Sequence, residues 1–275
     1  MRLELHVHSY YSKGTKLPWE GIPSPKEIVR YAKRIGLDGI AITDHNNIKA
    51  WRQAEKEAKR LGVLFLPGEE IGSKDGHILA IGINEFVESG LSAEETVDRI
   101  RSQGGICIAP HPYDIKGDGL KNKMHVADAV EVFNALNMDR ISNKLARLKA
   151  RIMHKPVVAG SDAHTLSMIG HAVTIMDACS VDDVIKAIKK GNTRIEAEYV
   201  PLDIIIQWSR KRLEMSYGDV IKYINETYSM PKAKISFALL NRFLKSNSIT
   251  IWKIFAEIGI NISRIYALFN FIKYY

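Results

Sequence analysis

Cysteine is scarce in this chain: 275 residues contain only Cys107 and Cys179. Two thiols cannot build a disulfide framework, and Cys107 stands in an apolar run that suits a small buried hydrophobe, so a reducing compartment is expected. A basic and apolar leader is also missing, since the amino terminus enters strand pattern directly, which makes the cytoplasm the expected location. Nor is there an uninterrupted run of about 18 apolar residues. Lys253, Glu257 and Arg264 break the richest stretch, Ile249 to Ile272, and this excludes a membrane span. Acidic residues thin out late in the chain: from Pro201 onward 11 Lys+Arg face 5 Asp+Glu, which is +6 of the overall +8. That segment also holds 13 of the 23 aromatic residues. Composition therefore divides the chain into residues 1–198 and a basic, aromatic-rich helical extension over 199–275.

The first part alternates strand and helix signals. Ser24-Pro25-Lys26-Glu27 has the form of an N-cap, first-turn proline and capping-box glutamate, with Ile28, Val29, Ala32 and Ile35 as the apolar stripe and Gly36 as the stop. Gly39 to Ile42 is a short buried strand. A helix near 48–61 stops at Gly62, and Val63 to Leu66 leads a third strand. His77 to Ile81 follows after a tight Lys74-Asp75-Gly76 turn, too soon for a crossover helix, so it should lie beside its predecessor. Helices opening at Ser92 and near Arg140 lead to strands at Ile106 and Pro156, Ala129 and Ala172 open two more strands, and the helix after the last strand starts at Ser180. Seven βα-type units imply an α/β fold with a parallel sheet and right-handed crossovers.

Polar residues at the strand ends favour a barrel over an open sheet, because a barrel gathers those ends on one face. Two imidazoles at i and i+2 on one strand, as in His6-Val7-His8, point the same way. Six of the nine histidines (His6, His8, His45, His77, His111, His164) lie at or beside strand termini, with Glu70 and Asp162. His125, His154 and His171 have ordinary surroundings and are set aside. Mixed imidazole and carboxylate donors suit Mn²⁺, Zn²⁺ or Fe²⁺, and eight of them are too many for one ion.

The ordered segments His6-Val7-His8-Ser9, Thr43-Asp44-His45, Gly68-Glu69-Glu70, His111-Pro112, Glu131-Val132-Phe133-Asn134 and Gly160-Ser161-Asp162-Ala163-His164 resemble the motif series of the PHP (polymerase and histidinol phosphatase) family. The resemblance spans roughly residues 1–195. It implies a distorted (β/α)7 TIM-like barrel and a metal-dependent phosphoesterase that uses two or three divalent ions (Mn, Zn or Fe). The reaction expected is hydrolysis of a phosphate ester by a metal-activated hydroxide. Carried over by motif, the ligands are His6, His8, His45, Glu70, His77, His111, Asp162 and His164. Glu70 is preferred to Glu69 by the family's G-x-E pattern and because strand alternation turns only one of them inward. Asp44 is expected to orient an imidazole.

One departure stands out. Many members of the family carry an acidic ligand shortly after H-x-H, whereas here Ser12 is followed by Lys13 and Gly14. An ammonium cannot replace that ligand, so either a metal site is weakened or another carboxylate, such as Asp114, fills it. Lys13 itself is expected either to point to solvent or to contact substrate phosphate as a point charge.

The extension reads as three to five helices with breaks near Gly218, Pro231 and Gly259, and Ile251 to Leu268 faintly resembles a helix-turn-helix. The charges of its last helix fall near one stripe and leave a broad apolar face to pack on the barrel or another subunit. The expected partner is a small phosphorylated metabolite or nucleotide. RNA or DNA is the second candidate, through the basic extension, and a noncatalytic RNA- or complex-binding subunit on the same barrel is the third reading.

Overall fold

The computed structural model describes residues 1–14, 17–246 and 248–274. Its first elements are β1 (Arg2–Glu4), α1 (Pro25–Arg34), β2 (Gly39–Ile42), α2 (Trp51–Leu61), β3 (Leu64–Ser73), β4 (Gly76–Ile81), α3 (Ala93–Ser102) and β5 (Ile106–Ala109). They are followed by β6 (Ala129–Asn134), α4 (Ile141–Ile152), β7 (Val157–Gly160), β8 (Ala172–Ile175), α5 (Val181–Lys189) and β9 (Arg194–Ala197). Four helices complete the chain: α6 (Leu202–Met215), α7 (Tyr217–Thr227), α8 (Met230–Lys245) and α9 (Thr250–Tyr274).

Local chemistry sets the helix ends. Ser24 and Glu27 form a reciprocal capping box at α1, as do Ser92 and Glu95 at α3, so two otherwise unpaired donors are satisfied at each start. Gly62 closes α2 in the left-handed conformation, with φ 64°, where a Cβ would be strained.

The strands form one nine-stranded, nearly closed sheet in the order β7-β6-β5-β4-β3-β2-β1-β8-β9. Closure comes just beyond the named strands: Val7 bridges Ala163 in parallel, with His8 N donating to Ala163 O at 2.8 Å. Ser161 adds bonds from its backbone N–H and its hydroxyl to the buried Glu4 carboxylate. The expectation of a parallel sheet needs correction. β1·β2, β2·β3, β5·β6 and β6·β7 are parallel, but β4 runs antiparallel to both β3 and β5, and β8 runs antiparallel to β1 and β9. The tight turn after Ser73 forces the first reversal. β9 was not among the expected strands, because two of its four residues are half-buried and it carries charges at both of the others.

The extension packs on the barrel through Val200, Ile204, Ile205 and Trp208, and α9 lies against α4 and α6. Contrary to expectation, Gly259 breaks nothing, and α9 runs unbroken from Thr250 to Tyr274. A helical glycine costs about 1 kcal/mol relative to alanine, which the packing of Ala267, Phe271 and Tyr274 offsets. The faint helix-turn-helix falls with that break. The broad apolar face also does not pack on the barrel as a whole, since Phe255, Ile258, Ile262, Ile265, Phe269 and Ile272 remain exposed. No helix among the described residues is long and apolar enough to cross a membrane.

Candidate metal centre

Each strand end delivers side chains to one face of the barrel. The chain leaving β1 carries His6 and His8, both fully buried, on either side of the Val7 bridge. Beyond β2 comes His45, which bridges Glu70 of β3. His77 stands on β4, His111 follows β5, and Asp162 and His164 follow β7. All eight residues expected as ligands fall into four overlapping groups: His8, His45 and His164; His6, His8 and Glu70; His6, His111 and Asp162; His45, Glu70 and His77. Backbone conformation contributes to this convergence, because His111 (φ 28°) and Asp162 (φ 53°) adopt the left-handed region.

Glu70 is the hub. Its Oε1 lies 2.9 Å from His77 Nδ1 and 3.0 Å from His111 Nε2. Its Oε2 lies 3.3 Å from His6 Nε2, 3.2 Å from His8 Nε2 and 3.2 Å from His45 Nδ1. Asp162 Oδ1 approaches the same His6 and His8 nitrogens at 3.5 and 3.2 Å. Strand alternation sends Glu69 to the opposite face, where its Oε2 accepts from Val87 N.

Several of these groups are shifted from their usual ranges. Burial alone would raise the carboxyls of Glu70 and Asp162, but the surrounding imidazoles hold both well below the ordinary range. Burial likewise would lower His8 and His111, yet the close carboxylates raise each to about 9, and His6 is raised as well. His45 and His164 are pushed down to about 3, chiefly by burial, and keep free lone pairs at neutral pH. The donor set fits divalent cations. His8 Nε2, His111 Nδ1 and His164 Nε2 are buried without a hydrogen-bond partner. For His8 this holds despite carboxylate oxygens 3.2 Å away, which lack hydrogen-bond alignment. Such orphaned atoms are costly in a folded protein, and ring nitrogens gathered this way are what a cation would take up in place of protons.

Supporting contacts extend beyond the expected set. Glu131 Oε1 lies 3.0 Å from His6 Nδ1, and Ser12 Oγ lies 3.0 Å from His8 Nδ1, so each imidazole turns its Nε2 inward. Asn134 Nδ2 donates to Glu131 Oε2 and Asp162 Oδ2. Gly160 makes room for the first of these pairs, because a Cβ there would fall 2.3 Å from Glu131 Oε1 and 2.6 Å from His6 Cβ. Asp44 touches Ser9 rather than an imidazole, accepting from its backbone N–H and hydroxyl at 2.6 Å each. Lys13 is exposed, with its Nζ 3.5 Å from the centroid of the Trp19 ring. Asp114 faces His111 at 3.9 Å. Glu20, unexpected from the sequence, lies 3.5 Å from His45 Nε2 and 3.9 Å from His164 Nε2. The three histidines set aside belong to none of the four groups.

Above the centre opens a cavity of about 900 Å³. Glu70, His77, His111, Asp162 and His164 line its floor, Lys13 its side, and Arg212, Leu213, Tyr223 and Ile260 of the helical extension its far wall.

A family model described as PHP-associated matches residues 140–193. The uncharacterized protein MJ1587 of Methanocaldococcus jannaschii is 40% identical over 152 residues, covering 53% of this chain and 89% of that protein. DNA polymerase III PolC-type of Caldanaerobacter subterraneus is 29% identical over 135 residues, which is 48% of this chain and 9% of the polymerase. Among solved structures, a two-domain protein from Bacteroides vulgatus containing a predicted PHP-like metal-dependent phosphoesterase superposes with a TM-score of 0.58 at 18% identity. That match covers 72% of this chain and 65% of the other, just under two thirds of its length. At such identity the likeness shows a shared fold.

Proposed function

The chain belongs to the PHP family of metal-dependent phosphoesterases, and on that footing we propose that it hydrolyses a phosphate ester of a small metabolite or nucleotide. The observation that carries this reading is the environment of Glu70, one buried carboxylate that meets five imidazoles with its two oxygens. A carboxylate so placed can be shared between neighbouring cations. His6, His8, Glu70 and Asp162 would hold one ion, Glu70, His77 and His111 a second, and His45 and His164 part of a third. Bound at these residues, divalent ions would supply Lewis acidity toward phosphoryl oxygens and would lower the pKa of water.

The chain's own groups do the rest. Glu131 and Ser12 fix the directions of His6 and His8, while Asp44 ties Ser9 beside them. Lys13, on the cavity side, offers a positive charge to a phosphate that has entered. Leu213, Tyr223 and Ile260 give the cavity an apolar wall that suits the organic part of a small ester. Side chains of α6, α7 and α9 beside the centre favour small esters over a polymer, and the basic extension supports RNA or DNA as the second reading.

Phosphate release from a panel of sugar phosphates, nucleotides and short oligonucleotides, with added Mn²⁺ or Zn²⁺, tests the reading. Turnover of a monomeric ester that stops in chelator and returns with metal is the expected result. Cleavage confined to oligonucleotides would establish the nuclease reading, and no metal-dependent turnover of any ester would reject both.

A further inference from the structure

We infer that Glu20, pinned above the centre by helix α6, is the acidic ligand of a third cation held with His45 and His164. This rests on the proposed metal-dependent activity and adds a residue that the motif pattern does not contain.

The geometry comes first. Glu20 Oε2 lies 3.5 Å from His45 Nε2, and its Oε1 lies 3.9 Å from His164 Nε2. Both separations are long for hydrogen bonds. Through the two oxygens of one carboxylate, they come near the spacing of donors around a common ion, since ligand distances of about 2.1 Å in a tetrahedral site place donor atoms about 3.4 Å apart. His164 Nε2 is buried and has no hydrogen-bond partner. A nitrogen left in this way beside a carboxylate, yet out of bonding reach, indicates that something belongs between them.

The loop is also built to hold this carboxylate in place. Trp208 of α6 donates from Nε1 to Glu20 O at 3.0 Å, and its ring packs on the His164 imidazole at 4.8 Å. One side chain thereby braces both partners. Arg212, one turn further along α6, donates from Nε to Trp19 O at 2.8 Å. Its Nη2 reaches Glu20 Oε1 at 3.4 Å, which defines the competing account, in which Glu20 is merely the counterion of Arg212. The third-cation account also explains why Lys13 can stand where an acid is usual. The required charge arrives from seven residues later, next to the Trp19 ring on which the Lys13 ammonium rests.

Counting ions decides between the two accounts. The full chain, Glu20→Gln, His164→Gln and the double variant are dialysed to equilibrium against Mn²⁺ or Zn²⁺, and bound metal per chain is measured by mass spectrometry, with folding followed by circular dichroism. We expect Glu20→Gln and His164→Gln each to lose one equivalent and the double variant to lose no more. An unchanged count in Glu20→Gln would overturn the assignment while leaving the proposed activity standing. Loss of every ion from the folded variant would equally reject a dedicated third site. A parent chain that binds no metal would overturn the activity and the assignment together.

Discussion

His6 Nδ1 sits 3.0 Å from Glu131 Oε1, and through that contact Glu131 determines which ring nitrogen reaches the metal centre. A carboxylate in this position holds the N–H tautomer at Nδ1 and makes Nε2 the better ligand. Glu131→Gln should keep the fold, because its remaining carbonyl oxygen can still serve one neighbour, and should lower metal affinity by roughly 10- to 100-fold. Competition with a fluorescent chelator measures this directly.

Asp162 and His8 provide the severest test of the centre. Asp162 Oδ1 and His8 Nε2 lie 3.2 Å apart within the same ligand group. Asp162→Asn and His8→Ala should each reduce turnover of a phosphate ester by about 100-fold or more, since loss of a ligand forfeits several kcal/mol of transition-state charge stabilisation. Steady-state kinetics at saturating metal is the check, and near-parental turnover in either variant would contradict the proposed site.

Glu69 predicts a pH dependence of stability. Burial raises its carboxyl from 4.5 to about 7. Between those values the folded chain holds a proton that the unfolded chain has released, so raising the pH through this window drains stability. Glu69→Gln removes the ionisable group but keeps an oxygen to accept from Val87 N–H. The variant should be more stable than the parent at pH 8, by roughly 3 kcal/mol at most. The advantage should shrink toward pH 5. Urea midpoints at the two pH values report it, and a gap that does not vary with pH would refute the assignment.

Trp208 links the helical extension to the barrel. Its buried ring covers His164 and its N–H holds the Glu20 carbonyl. Trp208→Ala should cost about 3–5 kcal/mol in stability, whereas Trp208→Phe keeps most of the ring and loses about 1 kcal/mol with the hydrogen bond. Denaturation curves of the two variants separate packing from hydrogen bonding.

The candidate ligands could be picked out in the sequence because most lie at or just beyond strand ends, and strand ends are set by local patterning. His6 and His8 flank Val7 just beyond β1, and Glu70 stands within β3 beside the chain that leaves β2. Residues whose value depends on distant partners could not be read in the same way. Glu131 stands in a quoted motif, but its role was hidden because it lies 125 positions from the imidazole it orients, and Glu20 sits in an irregular loop whose place is set by a side chain 188 positions later. Ser12 was visible as part of a departure from motif, but nothing local says that its hydroxyl meets His8. Strand direction was also out of reach for β8, because periodicity is the same in parallel and antiparallel pairing. Gly259 misled through propensity, which tertiary packing overrode.

The left-handed backbone at Asp162 has an evolutionary consequence. At φ 53° a residue bearing a side chain pays roughly 1 kcal/mol that glycine would not. Selection for thermal robustness alone would therefore drift toward glycine at this position, while selection for turnover would resist it. Of two laboratory lineages started from this chain, one screened by heat should accept glycine at residue 162 more readily than one screened by phosphate release.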